Sequence, residues 1–210
     1  MASLDPPLHE RIYAGLKADY LAGEFIPGRR IDLQDLADRH RSSKTPVREA
    51  AFILVGEGLF RHHADGGFVV PILNGTDLIE MHEWHLNLVL AAALTLSETA
   101  IQTILQKFPR PDGSLSAVKV ALLTGDFFTS LVAATGNSLA AIEVRKINDR
   151  LHYYRITEIG EAKSASRELE ILTNSGVANV HKAIRRRLAA YHRRRIDHLV
   201  QSVGDVSFDK

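Results

Sequence analysis

The chain has 210 residues, 45% hydrophobic and 24% charged, with a formal net charge of +1, which describes a soluble globular protein of one or two domains. It contains no cysteine, which excludes a disulfide framework, a thiolate metal site and a cysteine nucleophile. The opening MASLDPPLHE has no apolar signal core, and the longest apolar run, residues 86–96, is 11 residues with Asn87 inside it, too short to span a bilayer. A cytoplasmic protein is expected.

In chain order, Leu8, Ile12, Leu16 and Tyr20 repeat every fourth residue and predict a helix over 8–22, stopped by Gly23 and Pro27-Gly28. Leu33, Leu36 and Ala37 line one face of a short second helix, which Ser42 and Ser43 interrupt. Thr45 as N-cap and Pro46 in the first turn restart a helix, with Val47, Ala50, Ala51 and Leu54 inward and Gly56 and Gly58 at its end. Leu59-Phe60 and Phe68-Val69-Val70 are β-prone runs on either side of the turn signal Asp65-Gly66-Gly67. A helix-turn-helix with a hairpin behind it is a winged DNA-reading module.

The charge layout agrees. Arg39, Arg41, Lys44 and Arg48 are interrupted by no acidic residue, although residues 1–74 carry 9 Lys and Arg against 10 Asp and Glu, a net of −1. Positive charge is therefore focused at the start of one helix, whose N–H groups already favour phosphate. Arg48 and Lys44 are expected at bases or phosphates of the major groove, and Gln34, Ser43 and Thr45 at phosphates. Gly66 is expected to let the wing approach the DNA backbone or minor groove. Pro71 and Asn74-Gly75 mark a boundary, giving a winged helix-turn-helix domain over 1–73 and a second domain over 74–210.

Residues 8–70 resemble the DNA-binding domain of the GntR family of bacterial transcription regulators. The matching pieces are LAGEFIPGRRI, LQDLADRH, SSKTPVREA and EGLFRHHADGGFVV. Against the family pattern, Arg41 stands where the turn usually has Gly, Lys44 where Arg is usual, and Ala64-Asp65-Gly66-Gly67 where Arg often sits between glycines. The resemblance implies a homodimer that reads a pseudo-palindromic site on double-stranded DNA.

From Thr76 onward the pattern is helical throughout. Leu78, Met81, His85, Leu88 and Ala92 share a face; Ser97-Glu98 opens a helix carrying Ile101, Ile104 and Leu105; Pro109 to Gly113 reads as a loop. Val118, Leu122, Phe127 and Leu131 follow, closed by Gly136-Asn137; then Leu139, Ile142, Ile147 and Leu151; then Gly160 and Asn174-Ser175-Gly176 as punctuation; and finally Val180, Ile184, Leu188, Tyr191 and Leu199. About six helices without a strand signal predict an antiparallel bundle and make the whole chain mainly α.

Asp77-Leu78-Ile79-Glu80 and Ala133-Ala134-Thr135-Gly136-Asn137 resemble the FCD (FadR-type C-terminal domain) subgroup, which implies effector binding and dimerisation by the bundle. Many such bundles hold a divalent metal with one Asp and three His. Here Thr124 and Phe128 stand at the Asp and first His positions, and Glu168 and Arg187 fall nearest the later ones, with His181 and His192 close by. Threonine and phenylalanine replace neither carboxylate nor imidazole, so no metal cofactor is expected. His82 stands where the subgroup often has an inward Arg, His85 is one turn on, and Arg145 and His152 are expected to face the same cavity. Such donors in an apolar bundle suit a carboxylate effector. The basic run 182–195 reads as a solvated face paired with acids elsewhere, or as an anion contact. No HExxH, GxSxG or phosphate-binding glycine loop is present, so an enzyme is not expected. The alternative is a winged-helix interaction or dimerisation protein without a ligand.

Overall fold

A computed structural model of the protein describes residues 7–108, 115–158 and 162–206. The chain forms two compact units, Met1–Ile72 and Leu73–Lys210.

The first unit runs α1 (Leu8–Ala22), β1 (Arg30–Ile31), α2 (Leu33–Arg39), α3 (Lys44–Gly56), β2 (Arg61–His62) and β3 (Phe68–Val69). The strands form an antiparallel sheet in the order β1-β3-β2. Ile12, Leu16, Val47, Leu54, Phe60 and Phe68 build the core between helices and sheet. Each buried side chain of this size contributes roughly 1.5–3 kcal/mol. Two contacts set α1 against α2 and α3. Glu57, just past α3, accepts hydrogen bonds from Tyr13 and Lys17 of α1. Gly15 of α1 lies under the His40 ring, where an added Cβ would come within 2.7 Å of it, and His40 Nε2 is 2.9 Å from Asp19 Oδ2.

Three local expectations shift. The cap of α3 is Ser43, and Pro46 sits in the first turn, where a missing N–H costs nothing at any of the leading positions. The first wing strand is Arg61–His62, because Leu59 and Phe60 are drawn into the core. Strand β1, only two residues long, had no periodicity to announce it.

The second unit contains, among the described residues, α4 (Gly75–Thr95), α5 (Glu98–Gln106), α6 (Ala117–Ala133), α7 (Ser138–Glu158), α8 (Ala162–Thr173) and α9 (Val180–Val206). Asn74 and Asp77 form a reciprocal capping box on α4; Ser97 and Ser116 cap α5 and α6. Val89, Ile101, Leu105, Phe127, Phe128, Leu131, Val144, Ile184 and Leu188 form the core. On α7 the inward stripe is Val144, Ile147, Asn148, Leu151, His152 and Arg155, so Leu139 (75% exposed) and Ile142 face outward, contrary to the sequence reading. The loop expected at Pro109 to Gly113 and the punctuation at Gly160 lie outside the described residues. No single helix among the described residues is long and apolar enough to cross a membrane.

Candidate nucleic-acid interface and buried bundle site

Residues 42–48 lead from the turn into α3, whose first N–H groups have no intrahelical partners. Ser43, Lys44, Thr45 and Arg48 are all exposed there, with no acidic residue among them. Arg41 precedes them with φ 50, a left-handed conformation that an arginine adopts at a cost. Arg39, also in the basic stretch, is instead engaged with Asp19 at 3.3 Å and Glu24 at 3.8 Å on the α1 side. Gln34 is exposed at the start of α2, where Asp32 caps its backbone N–H and its Nε2 donates to Asp38 Oδ1 at 2.8 Å.

The wing turn closes through His63 N to Gly67 O and Gly66 N to His63 O, both 3.0 Å, and Gly66 and Gly67 share φ 84. Only glycine adopts that conformation without strain, and the tip is exposed. The strand register adds residues that sequence reading missed. Arg30 and Arg61 both pair across from Val69, so two exposed arginines flank one sheet position. Detecting them needed β1, which sequence periodicity does not reveal.

In the bundle, His82, His85, Thr124, Asn148, His152, Arg155 and His192 are all buried. The ring of His85 lies edge-on to Phe128 at 4.8 Å and 5.0 Å from that of His192; the rings of His82 and His192 are 5.8 Å apart. His85 Nδ1 is 2.7 Å from His192 Nε2, and His192 Nδ1 is 2.7 Å from the Leu188 carbonyl. Arg155, 3% exposed, donates from Nε to the Tyr191 hydroxyl at 3.1 Å, and from Nη2 to Asn148 Oδ1 at 2.8 Å. No carboxylate pairs with Arg155 in any ion pair among the described residues. Burial first, then neighbouring His192 and Arg155, lower the His82 pKa to about 2. Burial, opposed by the bond to Leu188 and reinforced by Arg155 and Arg195, lowers that of His192 to about 3. Burial and His192 hold His85 well below its ordinary value. The three imidazoles are neutral beside one buried guanidinium.

Arg145 is exposed and does not join this cluster. The stripe from Val144 to Arg155 fixes the helix rotation, and the arginine on that stripe is Arg155. The metal-ligand pattern that the resemblance implied does not fit either. Thr124 Oγ1 bonds back to Val120 O at 2.8 Å, Phe128 fills the core, and Glu168 is held by Arg194 and Arg195, each at 2.9 Å. Arg187 Nη1 donates to Asn174 O at 2.6 Å, satisfying a carbonyl beyond α8. The basic run of α9 is thus partly spent on ion pairs and helix ends, while Lys182, Arg185, Arg186 and Arg193 remain exposed.

Residues 8–70 match the family model for bacterial regulatory proteins of the gntR family. The head is a GntR-family head. The Nta operon transcriptional regulator of Aminobacter aminovorans is 29% identical over 137 residues, 62% of this chain and 65% of that protein. The uncharacterized HTH-type transcriptional regulator YdhC of Bacillus subtilis is 28% identical over 158 residues, 71% of this chain and 70% of that protein. The chain therefore spans about two thirds of the length of these curated relatives, both regulators rather than enzymes. Among solved structures, E. coli McbR/YncC matches with a TM-score of 0.70 at 21% identity, covering 95% of this chain and 100% of that one. At that identity the likeness concerns the fold: a GntR-type winged helix followed by a helical unit.

Proposed function

We propose that the protein is a cytoplasmic, homodimeric transcriptional regulator of the GntR family, not an enzyme. It reads double-stranded DNA through its head, under the control of a small carboxylate-bearing effector in its bundle. The observation that carries the DNA reading is the exposed start of α3. There Lys44, Thr45 and Arg48 project from a helix N-terminus with a cationic turn behind them, and Gln34, Ser43 and the Gly66 wing tip are exposed on the same unit. Arg48 reads a base edge, Lys44 meets phosphate, and Gln34, Ser43 and Thr45 fix the register. Arg30 and Arg61 add phosphate contacts from the sheet. Two heads related by a two-fold axis read the two halves of a pseudo-palindrome.

The effector reading rests on the buried His82 and His85, whose Nδ1 and Nε2 respectively make no geometric hydrogen bond among the described residues, beside the buried positive charge of Arg155. An effector that switches DNA binding must bind the two states with different affinity, and operator must then alter effector affinity by the same factor. The test is selection of bound sequences from a random duplex library, followed by titration of the winner against a scrambled duplex at moderate salt. Equal affinity for both duplexes would reduce the head to an interaction module.

A further inference from the structure

The exposed face of α3 does not end at Arg48. Thr45, Arg48, Glu49, Phe52 and Gly56 are all exposed along it. At about 100° per residue, Phe52 falls within about 20° of Thr45, two turns further on, with Arg48 and Glu49 to either side. It lies about 10 Å along the axis from Thr45, the length of about three base-pair steps. One turn later comes Gly56, where an added Cβ would meet nothing within 4 Å among the described residues outside its own helix. The centre of the face that presents Arg48 is therefore an aromatic ring with clear space beyond it.

Phe52 is 50% exposed, and its other half is held. Its ring meets that of Phe68 edge-on at 5.4 Å and tilts against that of His62 at 5.6 Å. Phe68 belongs to the core of the head, so the wing fixes the ring while its outer part stays open. A side chain held in place before contact loses little freedom on binding. The ring offers neither donor nor acceptor and cannot read the polar pattern of a base edge. The apolar group that a base edge presents in the major groove is the C5-methyl of thymine, and phenylalanine is one of the side chains suited to it.

We infer that Phe52 is a specificity-determining residue: its open ring packs on the C5-methyl of a thymine in each half-site. This rests on the DNA reading above and deepens it. Lys44 and Arg48, exposed on the same helix, complement a polyanion, so the occupant of this face is duplex DNA rather than an apolar protein surface. Arg48 and Phe52 then read two different positions, one through hydrogen bonds and one through a methyl group.

The experiment takes the full chain and the duplex selected from the random library, and replaces each thymine in turn by deoxyuridine, which removes the methyl group alone. The expected result is that one thymine per half-site is sensitive, with affinity falling about fourfold, the effect of burying one group of methyl size. Phe52→Gln should remove that sensitivity. Phe52→Leu, which keeps an apolar side chain on Phe68, should retain it. Ile53→Gln, about 100° round the helix, should leave it intact. If no thymine matters, whether because the half-site holds none or because each tolerates uracil, the inference is overturned while the DNA reading stands. Sensitivity that persists unchanged in Phe52→Gln, or that Ile53→Gln abolishes, also overturns it. Failure to select any duplex over a scrambled one overturns the DNA reading and this inference together.

Discussion

Arg155 sets a terminal guanidinium nitrogen 2.8 Å from the side-chain oxygen of Asn148, seven residues earlier on α7, with both side chains buried. The amide, not a carboxylate, answers the charge. The two residues should therefore behave asymmetrically. Asn148→Leu takes the side-chain acceptor from one nitrogen of a buried cation and also releases the Gly125 carbonyl and the Thr129 hydroxyl, for a loss of about 2–4 kcal/mol. Arg155→Met removes the charge with its demand for solvation but leaves the Asn148 oxygen unpaired, so it should cost less than Asn148→Leu, about 1–2 kcal/mol. Urea unfolding of the two variants decides this; a more destabilised Arg155→Met would contradict it.

The histidines make stability depend on pH. Their folded pKa values lie below the unfolded value, at about 2 for His82, about 3 for His192, and lowered for His85. The unfolded chain therefore binds more protons as pH falls through about 6.5. Stability from these groups is complete above that pH and is lost progressively toward pH 3. Melting temperature should be level from pH 8 to about pH 7 and fall from there to pH 5, and His82→Phe should flatten that fall by about one proton's worth. A flat profile over that range would refute neutral burial.

Arg41 holds φ 50, where glycine is at ease. Arg41→Gly should raise head stability by about 0.5–1 kcal/mol, and Arg41→Val should lower it by more, because branching at Cβ worsens the same clash. Thermal melts of the two variants should move in opposite directions; a shift of both the same way would count against strain at this turn.

At the head, Arg48→Ala should weaken specific binding by roughly 1–3 kcal/mol and relax preference at one base pair. Lys44→Ala or Arg61→Ala should instead lower the salt slope by about one unit and weaken all duplexes alike. Unchanged operator affinity in all three would remove α3 as the reader.

Thr124, whose hydroxyl bonds back to Val120, and Phe128, which fills the core, lead to one more expectation. Protein purified without chelator should carry no stoichiometric zinc, nickel or manganese, and EDTA should leave its melting temperature unchanged. Elemental analysis finding one metal per chain would overturn it.

Much of the head was legible because its signals are local: the fourfold repeat of α1, the proline in the first turn of α3 and the glycines of the wing each act within one element. Strand β1 was not legible, because two residues hold no pattern and exist as a strand only through β3. In the bundle, His85 could be placed from the α4 stripe it shares with Leu78, Met81 and Ala92, all buried, whereas His82 was placed by the resemblance. On α7 apolar residues at Leu139 and Ile142 suggested the wrong face. A polar Asn148 and a charged Arg155 belong to the true one, and no hydrophobic count finds a buried arginine. The basic run of α9 could not be apportioned from sequence, because its partner Glu168 comes from α8.

The pairing of β1 with β3 reaches beyond the wing. A lone two-stranded hairpin is marginal in water and would swing on its tether. Here the strand that steadies it comes from just before α2, so the segments entering and leaving the helix-turn-helix are stitched into one sheet. The tip at Gly66 and the start of α3 are thereby indexed to each other like two teeth of one key. In the dimer proposed above, what remains adjustable is the distance between two keys, not the cut of either.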